Sequence, residues 1–136
     1  MIVIDTSVAI KWLRAGEEDR QYALSIYKNH LEHRDEIMVP SLFYIEAANA
    51  LATNNVLSRK DILEGMEFLF DAGLHEHEVI KDDVVEAAVL ARKYKTTVYD
   101  MVYAVLARKN NTTLITADEK FVQKVGFSFV KSLRRL

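Results

Sequence analysis

Two short apolar runs, Ile2-Val3-Ile4 and Thr113-Leu114-Ile115, are too short for helices and do not alternate with polar residues. That is how strands buried on both faces of a parallel sheet read. Glu36 to Val39 is a third strand candidate. Between these runs apolar residues recur at helical spacing, as Leu24, Tyr27, Leu31, then Ile62, Met66, Leu69, then Val84, Ala88, Ala91. The pattern predicts strand 2–4, helices 7–14 and 17–34, strand 36–39, helices 41–54 and 58–72, and a weak strand near 78–80. Helices 83–95 and 99–109, strand 112–115, helix 117–125 and a last strand near 128–131 complete it. Gly16, Gly73 and Gly126 follow helical stretches where a left-handed cap is wanted, and Pro40-Ser41 can close a strand and cap the next helix. With no linker or repeat, this is one α/β domain over 1–136, a parallel sheet sandwiched by helices.

Composition adds exclusions. Half of the 136 residues are hydrophobic and 28% are charged, with one proline and four glycines, so the chain can bury a core. It contains no cysteine, which removes disulfides, thiolate metal sites and cysteine nucleophiles. No apolar run approaches the roughly 20 residues of a membrane span, and the N-terminus does not read as a signal peptide; a cytoplasmic protein is expected. The formal charge of -2 argues against a generally basic surface that coats nucleic acid, while leaving room for a local basic patch.

Ligands of parallel sheets bind beyond the carboxyl ends of the strands, so Asp5 after the first strand and Asp118 after Ile115 are expected in one crevice. Each also has a plain use as a helix cap. Asp5 can cap the helix that follows it; Asp118 lies in the capping box Thr116-Ala-Asp-Glu119, with Thr116 as the cap. Asp100 closes a similar box, Thr97-Val-Tyr-Asp100, ahead of seven apolar residues, Met101 to Ala107, that imply a buried helix. Glu46 falls mid-helix on a mostly apolar face, with Leu42, Phe43 and Ala50 as its turn neighbours. A carboxylate there needs a cation, a donor or water. Four acids converging on one crevice repel one another and present hard oxygen ligands suited to Mg²⁺ or Mn²⁺. A cation so held can activate water against a phosphodiester. Ser7 and Thr116 are candidate oxygen ligands or water-positioning groups, with capping as their alternative use.

The ordered set of segments Ile2-Val-Ile-Asp5-Thr-Ser7, Pro40-Ser-Leu-Phe-Tyr-Ile-Glu46, Tyr99-Asp100-Met-Val-Tyr103-Ala104-Val-Leu-Ala107 and Leu114-Ile-Thr116-Ala-Asp118-Glu-Lys-Phe121 resembles the PIN-domain ribonucleases. Among these it is most similar to the single-domain VapC-type toxins of prokaryotic toxin-antitoxin pairs. The resemblance spans nearly the whole chain. It implies a five-stranded parallel sheet between helices and an endoribonuclease dependent on Mg²⁺ or Mn²⁺. It also implies catalytic, metal-binding acids at Asp5, Glu46, Asp100 and Asp118, a homodimer, an RNA substrate, and a cognate antitoxin whose tail enters the active-site groove. Ser7 stands where many relatives carry asparagine.

Setting the four acids aside leaves 18 basic against 16 acidic side chains, a balance of +2, so the remaining surface is mildly basic. Lys11 and Arg14, close together in sequence after Asp5, are the expected phosphate contacts, with Lys120 a weaker one. Other readings compete. His75-Glu-His77 on a strand and the pair His30 and His33 on a helix suggest a zinc site without the two-His-plus-Glu helical pattern of a zinc hydrolase. A phosphoacceptor receiver domain has the same architecture, but it would want adjacent acids where Thr6 follows Asp5, and it has no use for Glu46. An RNA-processing nuclease outside any toxin pair, or a non-catalytic binding module, shares the PIN resemblance.

Overall fold

A computed structural model describes residues 1–135. The chain runs β1 (Ile2–Ile4), α1 (Thr6–Leu13), α2 (Arg20–Leu31), β2 (Ile37–Pro40), α3 (Leu42–Ala52), α4 (Arg59–Asp71), β3 (His75–His77), α5 (Lys81–Tyr94), α6 (Val98–Lys109), β4 (Leu114–Thr116), α7 (Glu119–Val125) and β5 (Val130–Ser132), then a short 3₁₀ turn at Leu133–Arg135. The five strands form one sheet in the order β3-β2-β1-β4-β5. Every pairing is parallel. The expected single α/β domain is what forms.

The core is built on this sheet. Val3, Ile4, Ile37, Val39 and Leu114 are buried to within about one percent, as strands covered on both faces require. The apolar run Met101 to Ala107 is buried throughout and carries α6 against β1, β2 and β4. Gly16, Gly73 and Gly126 hold positive φ angles of 84°, 70° and 62°, the left-handed conformation that ends a helix without a Cβ penalty.

Three elements depart from the sequence pattern for physical reasons. The third strand is His75–His77 rather than residues near 78–80. It lies at the edge of the sheet and pairs only with β2, so it needs no apolar face. The apolar pair that suggested a strand serves otherwise: Val79 packs against the core and Ile80 is the N-terminal cap residue of α5. Helix α5 buries Ala91, as the spacing predicts, but pairs it with Ala87, while Ala88 is exposed and Val84 stays 45% exposed. Alanines at the contact let α5 lie closely along α6. Ser41 precedes α3 without a side-chain capping bond, so Pro40-Ser41 ends β2 but does not cap by hydroxyl.

Candidate active site

The strand order reverses direction at β1, which has β2 on one side and β4 on the other. The crevice beyond the carboxyl ends of β1 and β4 is the topological switch point where open α/β sheets place their ligands. Val3 pairs with Leu114 and Ile4 with Ile115. Continuing that register sets Asp5 beside Thr116.

Asp5 is the N-cap of α1, at φ -99° and ψ 179°, and its Oδ1 accepts the Ser7 amide at 3.0 Å. The same oxygen accepts the Ser7 hydroxyl. Oδ2 accepts the Thr116 hydroxyl at 2.5 Å. Ser7 Oγ in turn accepts the Ala117 amide at 2.9 Å, and Thr116 Oγ1 accepts the Asp118 amide at 3.0 Å. These bonds stitch the ends of β1 and β4 together around one carboxylate. Thr116 is thereby a strand-end hydroxyl directed at Asp5 rather than the expected helix cap. Asp118 is the cap of α7, with Oδ1 accepting the Phe121 amide at 3.1 Å.

Glu46 enters from α3, half-buried, and Tyr103 of α6 donates its phenol proton to Glu46 Oε1 at 2.6 Å. Its partner is thus a neutral donor; no Lys or Arg pairs with it among the described residues. Asp100 sits in the first turn of α6, whose cap Thr97 accepts the Asp100 amide at 3.1 Å.

The four acids are coupled electrostatically. Burial lifts the Asp5 carboxyl from its ordinary 3.8 to about 6, against the hydrogen bonds of Ser7 and Thr116, and the charge of Asp100 adds to the rise. Burial likewise raises Glu46, with the Tyr103 hydrogen bond opposing and Asp100 adding. Asp100 is raised by burial too; Thr97 and Lys124 oppose, while Asp118 adds. Asp100 is therefore the common neighbour of the other three. Tyr103 is held protonated by its burial first, then by its bond to Glu46 and the surrounding acids. Among the described residues no three acidic or histidine side chains close around a single point to hold an ion. The donor set nevertheless fits Mg²⁺ or Mn²⁺ in the mode these ions favour, one or two direct carboxylates with retained waters. Repulsion between neighbouring carboxylates adds to the burial that raises Asp5, Glu46 and Asp100, and such a cation relieves it.

The profile of the PIN domain family matches residues 2–126. The chain belongs to the PIN domain family. No curated protein matches it in sequence. Three solved structures share the PIN fold with it at low identity. The Pyrobaculum aerophilum protein PAE2754 is 20% identical with a TM-score of 0.72, over 98% of this chain and 89% of that one. VapC20 of Mycobacterium tuberculosis, a toxin that cleaves the sarcin-ricin loop, is 17% identical with a TM-score of 0.71, over 96% and 99%. A toxin-antitoxin complex from Klebsiella pneumoniae matches at 16% identity and a TM-score of 0.70, over 98% of both chains.

Within the PIN domain the basic residues distribute unevenly. Asp100 and Asp118 line an open cleft of about 320 Å³ together with Lys95, Lys120 and Lys124. Lys11 instead donates to the Glu18 carbonyl at 2.7 Å. Arg14 lines a separate cavity beside Trp12, Asp61 and Glu64 that shares no residue with the acidic cleft. Among the described residues the histidines build no zinc site: His30 is buried, its Nε2 2.8 Å from the Ala72 carbonyl and its Nδ1 accepting the Ile37 amide at 3.1 Å. His33 and His75 both approach Glu36, which their hydrogen bonds hold below the usual carboxylate range. Tyr103, Lys95 and Lys124 were not expected from the sequence. The one available signal for Tyr103 was its place one helical turn after Asp100, and for Lys124 its place one turn after Lys120.

Proposed function

We propose that the protein is a divalent-cation-dependent endoribonuclease, the toxin of a toxin-antitoxin pair, acting in the cytoplasm as a homodimer and restrained by a cognate antitoxin whose tail enters the acidic crevice. The observation that carries this reading is the gathering of acids at the switch point of the sheet: Asp5 held by Ser7 and Thr116, Glu46 held by Tyr103, and Asp100 and Asp118 lining one cleft. The toxin assignment is supported by the likeness of fold to the Mycobacterium tuberculosis toxin and the Klebsiella pneumoniae complex.

Asp5, Glu46, Asp100 and Asp118 are the residues that would hold Mg²⁺ or Mn²⁺. When bound, the cation supplies neutralising charge for the acids and the phosphoryl oxygens, and makes water a better nucleophile. The chain's own side chains prepare that chemistry. Ser7 and Thr116 fix the rotation of the Asp5 carboxylate and stabilise its charged form, and Tyr103 does the same for Glu46. Asp100, with partners on both sides, sets the spacing of charge across the crevice.

The test is cleavage of single-stranded RNA by purified protein with Mn²⁺ or Mg²⁺, repeated in EDTA and with Asp5→Ala, Glu46→Ala, Asp100→Ala and Asp118→Ala. Cleavage requires the cation and falls by orders of magnitude in each variant. Undiminished cleavage in EDTA overturns the cation requirement, and near-wild-type cleavage by any variant removes that acid from the site. Expression of the wild type arrests growth, co-expressed antitoxin relieves it, and Asp100→Ala is harmless; equal arrest by both overturns the toxin reading.

A further inference from the structure

The cleft beside the acids carries more positive than negative charge. Three lysines, Lys95, Lys120 and Lys124, line it with two carboxylates, Asp100 and Asp118. Lys120 and Lys124 are four residues apart on α7 and so share a face of that helix. Lys95 comes from the opposite wall: at φ 58° it takes the left-handed conformation that ends α5 and turns the chain toward Thr97, the cap of α6. Lys124 Nζ donates to the Lys95 carbonyl at 3.0 Å, tying the two walls together.

These ammonium groups are not spent on ion pairs. Lys109 meets Asp83, and Arg108 meets Glu86, while Arg134 meets Glu18 and Asp19. Among the described residues none of Lys95, Lys120 and Lys124 comes within 4.0 Å of a carboxylate. Lys124 partly offsets the charge of Asp100, and three lysines beside two acids still leave the rim of the cleft net positive. A crevice of carboxylates alone repels a polyanion; lysines on its rim supply attraction at the adjacent phosphates, where the acids and their cation do not reach.

We infer that Lys95, Lys120 and Lys124 form the phosphate-binding wall of the site, gripping the RNA backbone next to the scissile bond from the α7 side rather than from Lys11 and Arg14 at the end of α1. The inference rests on the nuclease reading above and assigns where that substrate lies. Ammonium groups act as point charges on phosphate oxygens and read no base, so the grip is independent of sequence. The RNA strand then runs past Asp118 along α7 and across the turn between α5 and α6.

The experiment measures binding of a short fluorescein-labelled single-stranded RNA in EDTA, where the strand stays intact, across a salt series. The proteins are wild type, the triple variant Lys95→Gln/Lys120→Gln/Lys124→Gln and the double variant Lys11→Gln/Arg14→Gln, each first shown to melt like wild type. Each phosphate contact on a single strand contributes a slope of about 0.7 in log affinity against log salt, so the triple variant loses about 2 in slope. The double variant keeps the wild-type slope. With Mn²⁺ the triple variant raises KM and retains kcat. A triple variant with the wild-type slope, or a loss confined to the double variant, overturns the assignment. Wild-type cleavage with unaltered triple-variant binding leaves the nuclease reading standing and removes the wall. Absent cleavage with binding lost in the triple variant does the opposite.

Discussion

Replacing Asp5 by Asn exchanges one carboxylate oxygen for an amide while keeping the shape of the side chain. Asparagine is as good an N-cap as aspartate, so the bond from the Ser7 amide survives. What changes is charge. In the wild type the folded state holds the Asp5 proton more tightly than the unfolded chain, about 6 against 3.8. The stability this contributes is fully present below 3.8 and is lost as the pH rises through about 6. At 1.36 kcal/mol for each tenfold change in proton affinity, the loss is about 3 kcal/mol. The Asn variant, neutral at every pH, does not suffer it. Urea unfolding in EDTA at about pH 4 and about pH 8 therefore gives a variant that gains roughly 2.4 kcal/mol on the wild type between the two, the rest being lost already at the lower pH. In a melt this is a relative rise on the order of 10 °C. At the higher pH, Mn²⁺ at a hundredfold excess over its dissociation constant returns about 2.7 kcal/mol to the wild type and much less to the variant. A stability difference that is the same at both pH values would refute the argument, because Asp5 would then be an ordinary surface cap.

Two further outcomes follow from single hydrogen bonds. Tyr103→Phe removes the donor of Glu46, a bond to a charged group worth about 1.5 to 3 kcal/mol when fully buried and less at this half-buried site. Glu46 then rises further, and the acid limb of the pH–rate profile moves to higher pH with the fold retained; an unmoved limb removes Tyr103 from its positioning role. His30→Leu strips partners from the Ile37 amide and the Ala72 carbonyl, each costing about 1 to 3 kcal/mol when left unpaired. A thermal melt shows it as a large loss, and a melt within a degree or two of wild type shows that water has replaced the imidazole.

What the sequence made legible is what local pattern controls. Asp5 and Asp118 stood out because each follows a buried strand, and Glu46 because no cap explains an acid in mid-helix. The run Met101 to Ala107 announced a helix buried on all sides, and it is one. The edge strand lies at His75–His77, without an apolar pattern to mark it, because an edge makes no demand for apolar residues. Helix α5 buries the expected Ala91 together with Ala87 in place of Val84 and Ala88, a small rotation of the inward face that apolar spacing alone does not show. Tyr103 finds Glu46 across 57 residues, and Lys124 finds the Lys95 carbonyl across 29. Neither partnership leaves a trace in local spacing.

The central strand β1 precedes both of its sheet neighbours in the chain, and one of them, β4, follows it only after a long stretch of sequence. β1 acquires β2 early, but β4 begins only at Leu114, and the Thr116 bond to Asp5 spans 111 residues. A growing chain can assemble β3, β2 and β1 while the carboxylate of Asp5 still faces an empty side. Asp100 and Asp118, which complete the charge arrangement, are not yet synthesised or not yet docked. A chain that stops before residue 118 lacks Asp118 and does not assemble the full set of crevice acids. For an enzyme whose proposed substrate is RNA, closure of the site waits on β4 and the residues that follow it.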